Sequence, residues 1–283
     1  MSFALDSAAA AWITVPRVTP SAITDARLQL HHAAQIANAP AMSYLPPASD
    51  DSHTNFGWNA ALGAFVSRLV ALPEPLSIAW RVRDLTLLAL DVGGCAVATF
   101  PLVEKTFAEG HAWARAQCEA AGGDGARYRT TKHYEIPSHV VDAGAEFGAD
   151  VSALTSLSTH WANAVRMLDA VAGEEPGASD VRLWPHHFDV GLLLTIDAKH
   201  SIGVGFTPGD DWYDEPYWYV SPYPAPVGDA PRPPLAGGAH WHEKGWFSAV
   251  LTWSAYANAG SQGHAAAAYL RSALAADRAL LAG

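Results

Sequence analysis

The sequence predicts an α+β protein built on antiparallel sheets. Apolar residues recur with helical spacing in four segments, and the short apolar runs between those segments are typical of β-strands. Turn residues rich in Pro, Asp and Gly separate the first strands at 73–75, 83–84 and 93–94. Connections this short join only antiparallel neighbours. We therefore expect antiparallel sheets packed against helices.

The first half is predicted to run α-β-β-β-β-α. Its first helix begins at Thr19-Pro20, because proline fits the first turn of a helix, and Pro40, Pro46 and Pro47 are expected to end it in a polar loop. Four strands follow, at residues 56–70, 76–82, 85–90 and 95–102. A helix over 104–121 completes the half, closed by Gly122-Gly123.

The second half is predicted to repeat this order. A strand at 128–136 lies in the joining segment 123–149, and Asp150 then caps a helix. The strands and final helix that follow are expected at 183–196, 202–206, 217–223, 246–252 and 261–281. The repeated order predicts an internal structural duplication. We expect pseudo-repeat halves of about 19–122 and 150–282, with curved sheets, within a single compact unit of 1–283.

Charge and composition exclude several classes of partner. Seventeen basic against 28 acidic residues give a formal net charge of -11, which repels phosphate backbones and anionic lipid head groups. No nucleic-acid partner is expected, and no run approaches the roughly 20 apolar residues of a membrane helix. The start of the chain has no basic region typical of a secretory signal, and only two cysteines are present. A cytoplasmic location is the expectation.

Three motifs in the second half resemble a known family. They are Leu-Trp-Pro-His-His-Phe-Asp at 183–189, Gly-Phe-Thr-Pro-Gly-Asp at 205–210 and Glu-Pro-Tyr-Trp-Tyr-Val at 215–220. They are similar to an uncharacterised bacterial family, a domain of unknown function with a Trp-Pro-x-His-Phe-Asp segment. The resemblance implies a bacterial cytoplasmic protein and no settled activity.

His187 and Asp189 are the candidate catalytic residues. They lie two positions apart at the start of a predicted strand, so their side chains are expected on one face, with Gly191 leaving room for a ligand. Imidazole beside carboxylate suits proton transfer near neutral pH, with His187 as base and Asp189 orienting it. Alternatively, both side chains satisfy backbone groups at the strand end.

His240 and His242 are candidate metal ligands. On an extended segment this spacing places both rings on one side, and His187 would supply a third ligand for a divalent metal. Alternatively, the pair lies in an exposed loop after Gly237-Gly238. A further pair, His31-His32, is expected at the solvent edge of the first helix.

The loop between two predicted strands is a candidate ligand-binding segment. Its carboxylates, which include Asp210 and Glu215, alternate with aromatic residues that include Tyr217 and Trp218. Carboxylates beside aromatic rings can hold an organic cation or a sugar. Alternatively, the carboxylates form a solvated turn and the aromatic rings fill the core. No G-x-S-x-G or G-x-G-x-x-G motif is present.

The leading hypothesis is a small-molecule-binding protein. Its pocket is expected to be lined by Trp184, His187, Asp189, Trp218 and residues 240–242, and any catalysis is expected to be hydrolytic or lyase-type. A metal-dependent enzyme is one alternative. Another is a non-catalytic interaction protein that docks a partner through the aromatic segment 212–223.

Overall fold

The computed structural model describes residues 3–226, 228 and 231–282, and the chain forms two compact units. We call Pro16–Ser158 with Arg182–Phe188 the central unit. The terminal unit comprises Met1–Val15, Thr159–Val181 and Asp189–Gly283. Each unit is therefore assembled from segments that are distant in sequence.

The predicted α+β class with antiparallel sheets is confirmed. The α-helices of the described residues are α1 (Phe3–Ala10), α2 (Pro20–Tyr44), α3 (Phe107–Ala120), α4 (Val151–Glu174), α5 (Trp253–Tyr256) and α6 (Gln262–Ala282). The strands are β1 (Gly57–Asn59), β2 (Ala64–Val66), β3 (Ser77–Arg81), β4 (Thr86–Leu90), β5 (Ala96–Pro101), β6 (Arg182–Trp184), β7 (Asp189–Thr195), β8 (Ser201–Thr207), β9 (Tyr217–Tyr223), β10 (His240–His242) and β11 (Ser248–Thr252).

In the central unit, strands β1 to β5 pair in chain order, each antiparallel to the next. Helix α2 packs on β3, and the interior between them is aromatic. Trp80 stacks on Phe65 with ring centroids 5.0 Å apart, and Phe56 meets Trp80 edge-on. Rings of this size each remove roughly 150–250 Å² from water, so this cluster stabilises the unit.

In the terminal unit the strand order is β10-β11-β9-β8-β7, so β11 lies between β9 and β10. Helix α6 packs against β9 and β11. The hydroxyl of Tyr269 on α6 donates a hydrogen bond to the Ala249 carbonyl at 2.7 Å. The polar tip of this buried ring is therefore satisfied by the sheet.

Two predicted strands are each interrupted by a turn. Gly63, at φ 59°, turns the chain between β1 and β2, so the prediction of one strand over 56–70 is wrong. The predicted strand at 183–196 divides into β6 and β7 around a turn at 185–188. Phe188 has φ 59° in that turn, outside the β region that residues of a regular strand adopt.

Helix α2 continues through Pro40 to Tyr44, so Pro40 does not end it as predicted, whereas Pro46 and Pro47 follow its end. A proline in a helix interior costs about 3 kcal/mol. Pro40 and most of α2 are buried, and this packing offsets the cost. Helix α1 has no counterpart in the sequence prediction.

The strand counts differ between the halves. Among the residues that the structure describes, five strands lie between α2 and α3 and six between α4 and α5, so the expectation of four strands in each half is wrong. The internal duplication and the curvature of the sheets stay predictions.

Candidate functional site

Residues 128–136 form no strand, contrary to the sequence prediction. Side chains of α2 hold this segment instead. Ser43 Oγ accepts a hydrogen bond from the Arg129 backbone N–H at 2.8 Å. The Tyr134 hydroxyl donates to Gln35 Oε1 at 2.8 Å and accepts from Asn38 Nδ2 at 3.2 Å. The bond to Ser43 satisfies a backbone N–H that strand pairing would otherwise satisfy, and the bonds of Tyr134 fix its side chain on α2.

One face of α2 is polar although it is buried. His31, Gln35 and Asn38 share this face because they are spaced by four and three residues. The carbonyl of Pro185 accepts hydrogen bonds from His31 Nε2 at 2.8 Å and from Gln35 Nε2 at 3.0 Å. Burial lowers the pKa of His31 to about 3, so its ring is neutral. His31 and His32 are only 5% and 1% exposed, so their predicted place at a solvent edge is wrong.

An open cleft of about 740 Å³ lies in the central unit, bordered by residues 42–53 and 127–133. Its volume is within the roughly 300–1,000 Å³ typical of small-molecule sites. Apolar and aromatic side chains on its wall are Met42, Tyr44, Leu45, Pro46 and Pro47. The hydrogen bonds from α2 to the segment 128–136 thus shape one side of this cleft.

Three cations line the cleft. The Arg127 guanidinium lies over the Tyr44 ring, 5.3 Å from its centroid, and the Tyr44 hydroxyl donates to the Asp124 carbonyl at 2.9 Å. Arg129 and Lys132 have no ion-pair partner within the described part of the chain. Positive charge in the cleft is therefore only partly compensated by the protein.

The cleft also contains a carboxylate–imidazole pair. His133 Nε2 lies 3.0 Å from an Asp51 carboxylate oxygen. Asp51 has φ 58°, a left-handed conformation that is uncommon outside glycine and that is often found at functional sites. When His133 is neutral, donation from Nε2 leaves Nδ1 as a proton acceptor. The cleft therefore contains a potential proton acceptor beside its three cations.

The predicted catalytic pair is arranged differently from the expectation. His187 is exposed and lies in the turn at 185–188, while strand β7 begins only at Asp189. The prediction that both side chains share one face of a single strand is therefore wrong. Phe188, between them, points into the central unit and stacks on His31 with ring centroids 4.3 Å apart.

Asp189 is held by a tyrosine of the same sheet. The Tyr219 hydroxyl donates to its carboxylate, and burial, with the nearby Asp189 charge, raises the pKa of Tyr219. A Cβ added at Gly205 would lie 2.3 Å from the Tyr219 hydroxyl oxygen, and one at Gly191 would lie 2.9 Å from it. The room left by Gly191 is thus filled by the Tyr219 side chain and not by a ligand.

The acidic loop is used within the protein. Asp210 accepts hydrogen bonds from the Trp212 and Tyr213 backbone and, at 2.5 Å, from the Tyr217 hydroxyl. Glu215 accepts from the backbone and hydroxyl of Ser254 at 2.6 and 2.8 Å, at the start of α5. These contacts favour the structural interpretation of both carboxylates.

Trp218 belongs to the core of the terminal unit. It is fully buried, and its indole N–H donates to the Tyr256 hydroxyl at 3.1 Å. Of the large apolar side chains in segment 212–223, only Trp212 and Tyr223 are exposed. This distribution does not favour a continuous docking surface. Trp184 is half-buried in the central unit, 6.0 Å from the His186 ring centroid.

The H-x-H pair is bridged by a tyrosine. The Tyr213 hydroxyl lies 2.9 Å from His240 Nε2 and 2.8 Å from His242 Nδ1, and His242 Nε2 is 2.8 Å from the Lys244 carbonyl. Both ring nitrogens of His242 are therefore engaged. Across residues 3–226, 228 and 231–282, no group of three His, Cys, Asp or Glu side chains could hold a metal ion. The predicted ligands His187, His240 and His242 are among the residues searched, and they do not form such a group.

Sequence reasoning missed the cleft, and none of the predicted site residues lines it. A local signal was present: three of the 17 basic residues of an acidic chain fall within 127–132, next to His133. The opposite wall, at 42–53, contains the end of α2 and the loop that follows it, which only the fold brings to this segment.

No model of a known protein family matches the chain, and neither does any curated protein or solved structure. The resemblance to an uncharacterised bacterial family therefore stays a prediction. None of the helices formed by the described residues is both long and apolar enough to cross a membrane.

Proposed function

We propose that this protein binds a small molecule in the cleft between residues 42–53 and 127–133. The observation that supports this proposal is an open cleft of about 740 Å³ with an apolar wall and several converging polar groups. The segment 128–136 is anchored to α2 by side-chain hydrogen bonds, so the polar wall is preorganised. Preorganisation reduces the entropy lost on binding.

A pair of variants in one exposed dipeptide tests this proposal. Thr131 lines the cleft, whereas its neighbour Thr130 is exposed but does not line it. Thr131→Trp introduces a bulky ring into the cleft, and Thr130→Trp is the matched control. Ligand-detected NMR with a mixture of metabolite-like compounds, recorded for the native chain and both variants, gives the comparison.

We expect compounds that bind the native chain and Thr130→Trp but lose binding in Thr131→Trp. Circular dichroism of both variants checks that each remains folded. The proposal is wrong if no compound binds, or if folded Thr131→Trp retains every compound that the native chain binds.

Proton-transfer catalysis at the same cleft is a second candidate function, favoured by the Asp51–His133 pair. Incubating each bound compound with native protein and with His133→Gln, followed by mass spectrometry, tests it. We expect conversion by the native chain alone while both proteins bind. Unchanged conversion by His133→Gln would remove His133 from the mechanism.

A further inference from the structure

We infer that the ligand of this cleft is an organic anion, a phosphate or carboxylate attached to an apolar body; this inference rests on the proposed function. The charge of the cleft is opposite to that of the whole chain. The protein has a formal net charge of -11, yet Arg127, Arg129 and Lys132 line this one cleft beside a single carboxylate, Asp51.

The protein itself leaves this positive charge largely unneutralised. Asp51 already contacts His133, and Arg127 lies on the face of Tyr44. Neither Arg129 nor Lys132 forms an ion pair with any residue that the structure describes. An anion that binds next to these two cations would therefore displace water and would not have to break an ion pair. Arg129 matches a phosphate or carboxylate in geometry, because a guanidinium donates two parallel hydrogen bonds.

Lys132 also extends positive potential into the unit. Its charge contributes to the lowered pKa values of His31 and His111, after burial, which is the largest cause for both. These rings are therefore neutral near pH 7. The half-buried position of Lys132 reduces solvent screening, so its attraction for an anion exceeds that of a fully exposed lysine.

The remaining wall indicates the other part of the ligand. Met42, Leu45, Pro46 and Pro47 present hydrocarbon to the cleft. An inorganic anion alone would leave this surface wet, whereas an apolar body attached to the anion would cover it and gain roughly 25 cal/mol per Å² buried. The anionic group is expected near Arg129 and Lys132, and the apolar body against the residues that follow α2.

Four probes of similar size separate charge from shape. Phenyl phosphate and benzoate are anionic, benzyl alcohol is neutral and benzyltrimethylammonium is cationic. Their Kd values are measured by NMR titration of the full chain and of Arg129→Gln/Lys132→Gln. The matched control is Arg83→Gln/Lys105→Gln, which removes the same charge outside the cleft.

We expect at least one anionic probe to bind the native chain, with Kd at least about tenfold higher in the cleft variant and within about twofold in the control. The inference is overturned if neither anion binds at millimolar concentration. It is overturned too if the cleft variant binds an anionic probe as tightly as the control variant does. It is also overturned if benzyl alcohol or the cation binds as tightly as the anions. Loss of such neutral or cationic binding in Thr131→Trp would still support the small-molecule site.

Discussion

Asp277 predicts a specific dependence of stability on pH. Its side chain on α6 is completely buried, and neither carboxyl oxygen has a hydrogen-bond partner among the described residues. Burial raises its pKa from 3.8 to about 8, so the native carboxyl keeps its proton at pH 7. The unfolded chain ionises near pH 3.8 and thus binds fewer protons. Between these pH values the group lowers the free energy of unfolding by about 1.4 kcal/mol per pH unit.

Asp277→Asn removes this ionisation while keeping the shape of the side chain. By pH 7 the buried carboxyl has lowered the free energy of unfolding by on the order of 4 kcal/mol. We expect Asp277→Asn to be more stable than the native chain by roughly 2 to 4 kcal/mol at that pH. Urea unfolding followed by tryptophan fluorescence, at about pH 5, 6, 7, 8 and 9, measures the free energy of unfolding of the variant and of the native chain. The difference between variant and native chain should grow with pH and level off above pH 8. Taking this difference cancels other titrating groups.

The control is Asp211→Asn, which makes the same substitution at an exposed carboxylate. A difference between Asp277→Asn and the native chain that stays constant from pH 5 to 9 would refute the reasoning. Such a result would mean that the native state ionises Asp277 as readily as the unfolded chain does.

Three further changes have defined outcomes. Gly205→Ala should lower the free energy of unfolding by about 1–3 kcal/mol, because its Cβ would meet the Tyr219 ring at 2.3 Å, whereas Gly203→Ala has room for the methyl group. Burial lowers the His160 pKa to about 3, so between pH 7 and 5 only the unfolded chain takes up a proton there. Over this range the free energy of unfolding should therefore fall by about 2 kcal/mol less in His160→Phe than in the native chain. Tyr134→Phe should cost about 1–3 kcal/mol and weaken binding in the cleft, because it removes two hydrogen bonds to α2. Urea unfolding checks all three stabilities, and NMR titration checks the binding.

Each of these outcomes can fail in a recognisable way. Equal stability of Gly205→Ala and Gly203→Ala would mean that Tyr219 does not lie over Gly205. Parallel acid profiles of His160→Phe and the native chain would mean that His160 titrates normally. Unchanged stability and binding of Tyr134→Phe would show that the cleft wall does not depend on this hydroxyl.

Local patterns in the sequence were sufficient for the fold class and for most elements. Strand β9 has the predicted bounds of 217–223, and α2 begins at Pro20 as expected, because periodicity and helix-start residues act over a few positions. The short turns predicted antiparallel pairing correctly for β3, β4 and β5. Asp150 accepts a hydrogen bond from Ala153 N at the start of α4, as its predicted capping role requires.

The site was decided by tertiary structure. The aromatic and β-branched residues of 128–136 are typical of a strand, but side chains of α2 hold this segment instead. Ser43 accepts from the Arg129 backbone N–H, and Gln35 and Asn38 bond to the Tyr134 hydroxyl, from about 90 residues earlier in the chain. Similarly, Gly191 suggested an opening that the Tyr219 ring fills. The sequence by itself determined most of the helical and extended segments, because that preference is local. Tertiary structure alone determined which cations face a cleft, because side-chain hydrogen bonds between distant segments leave no periodic pattern.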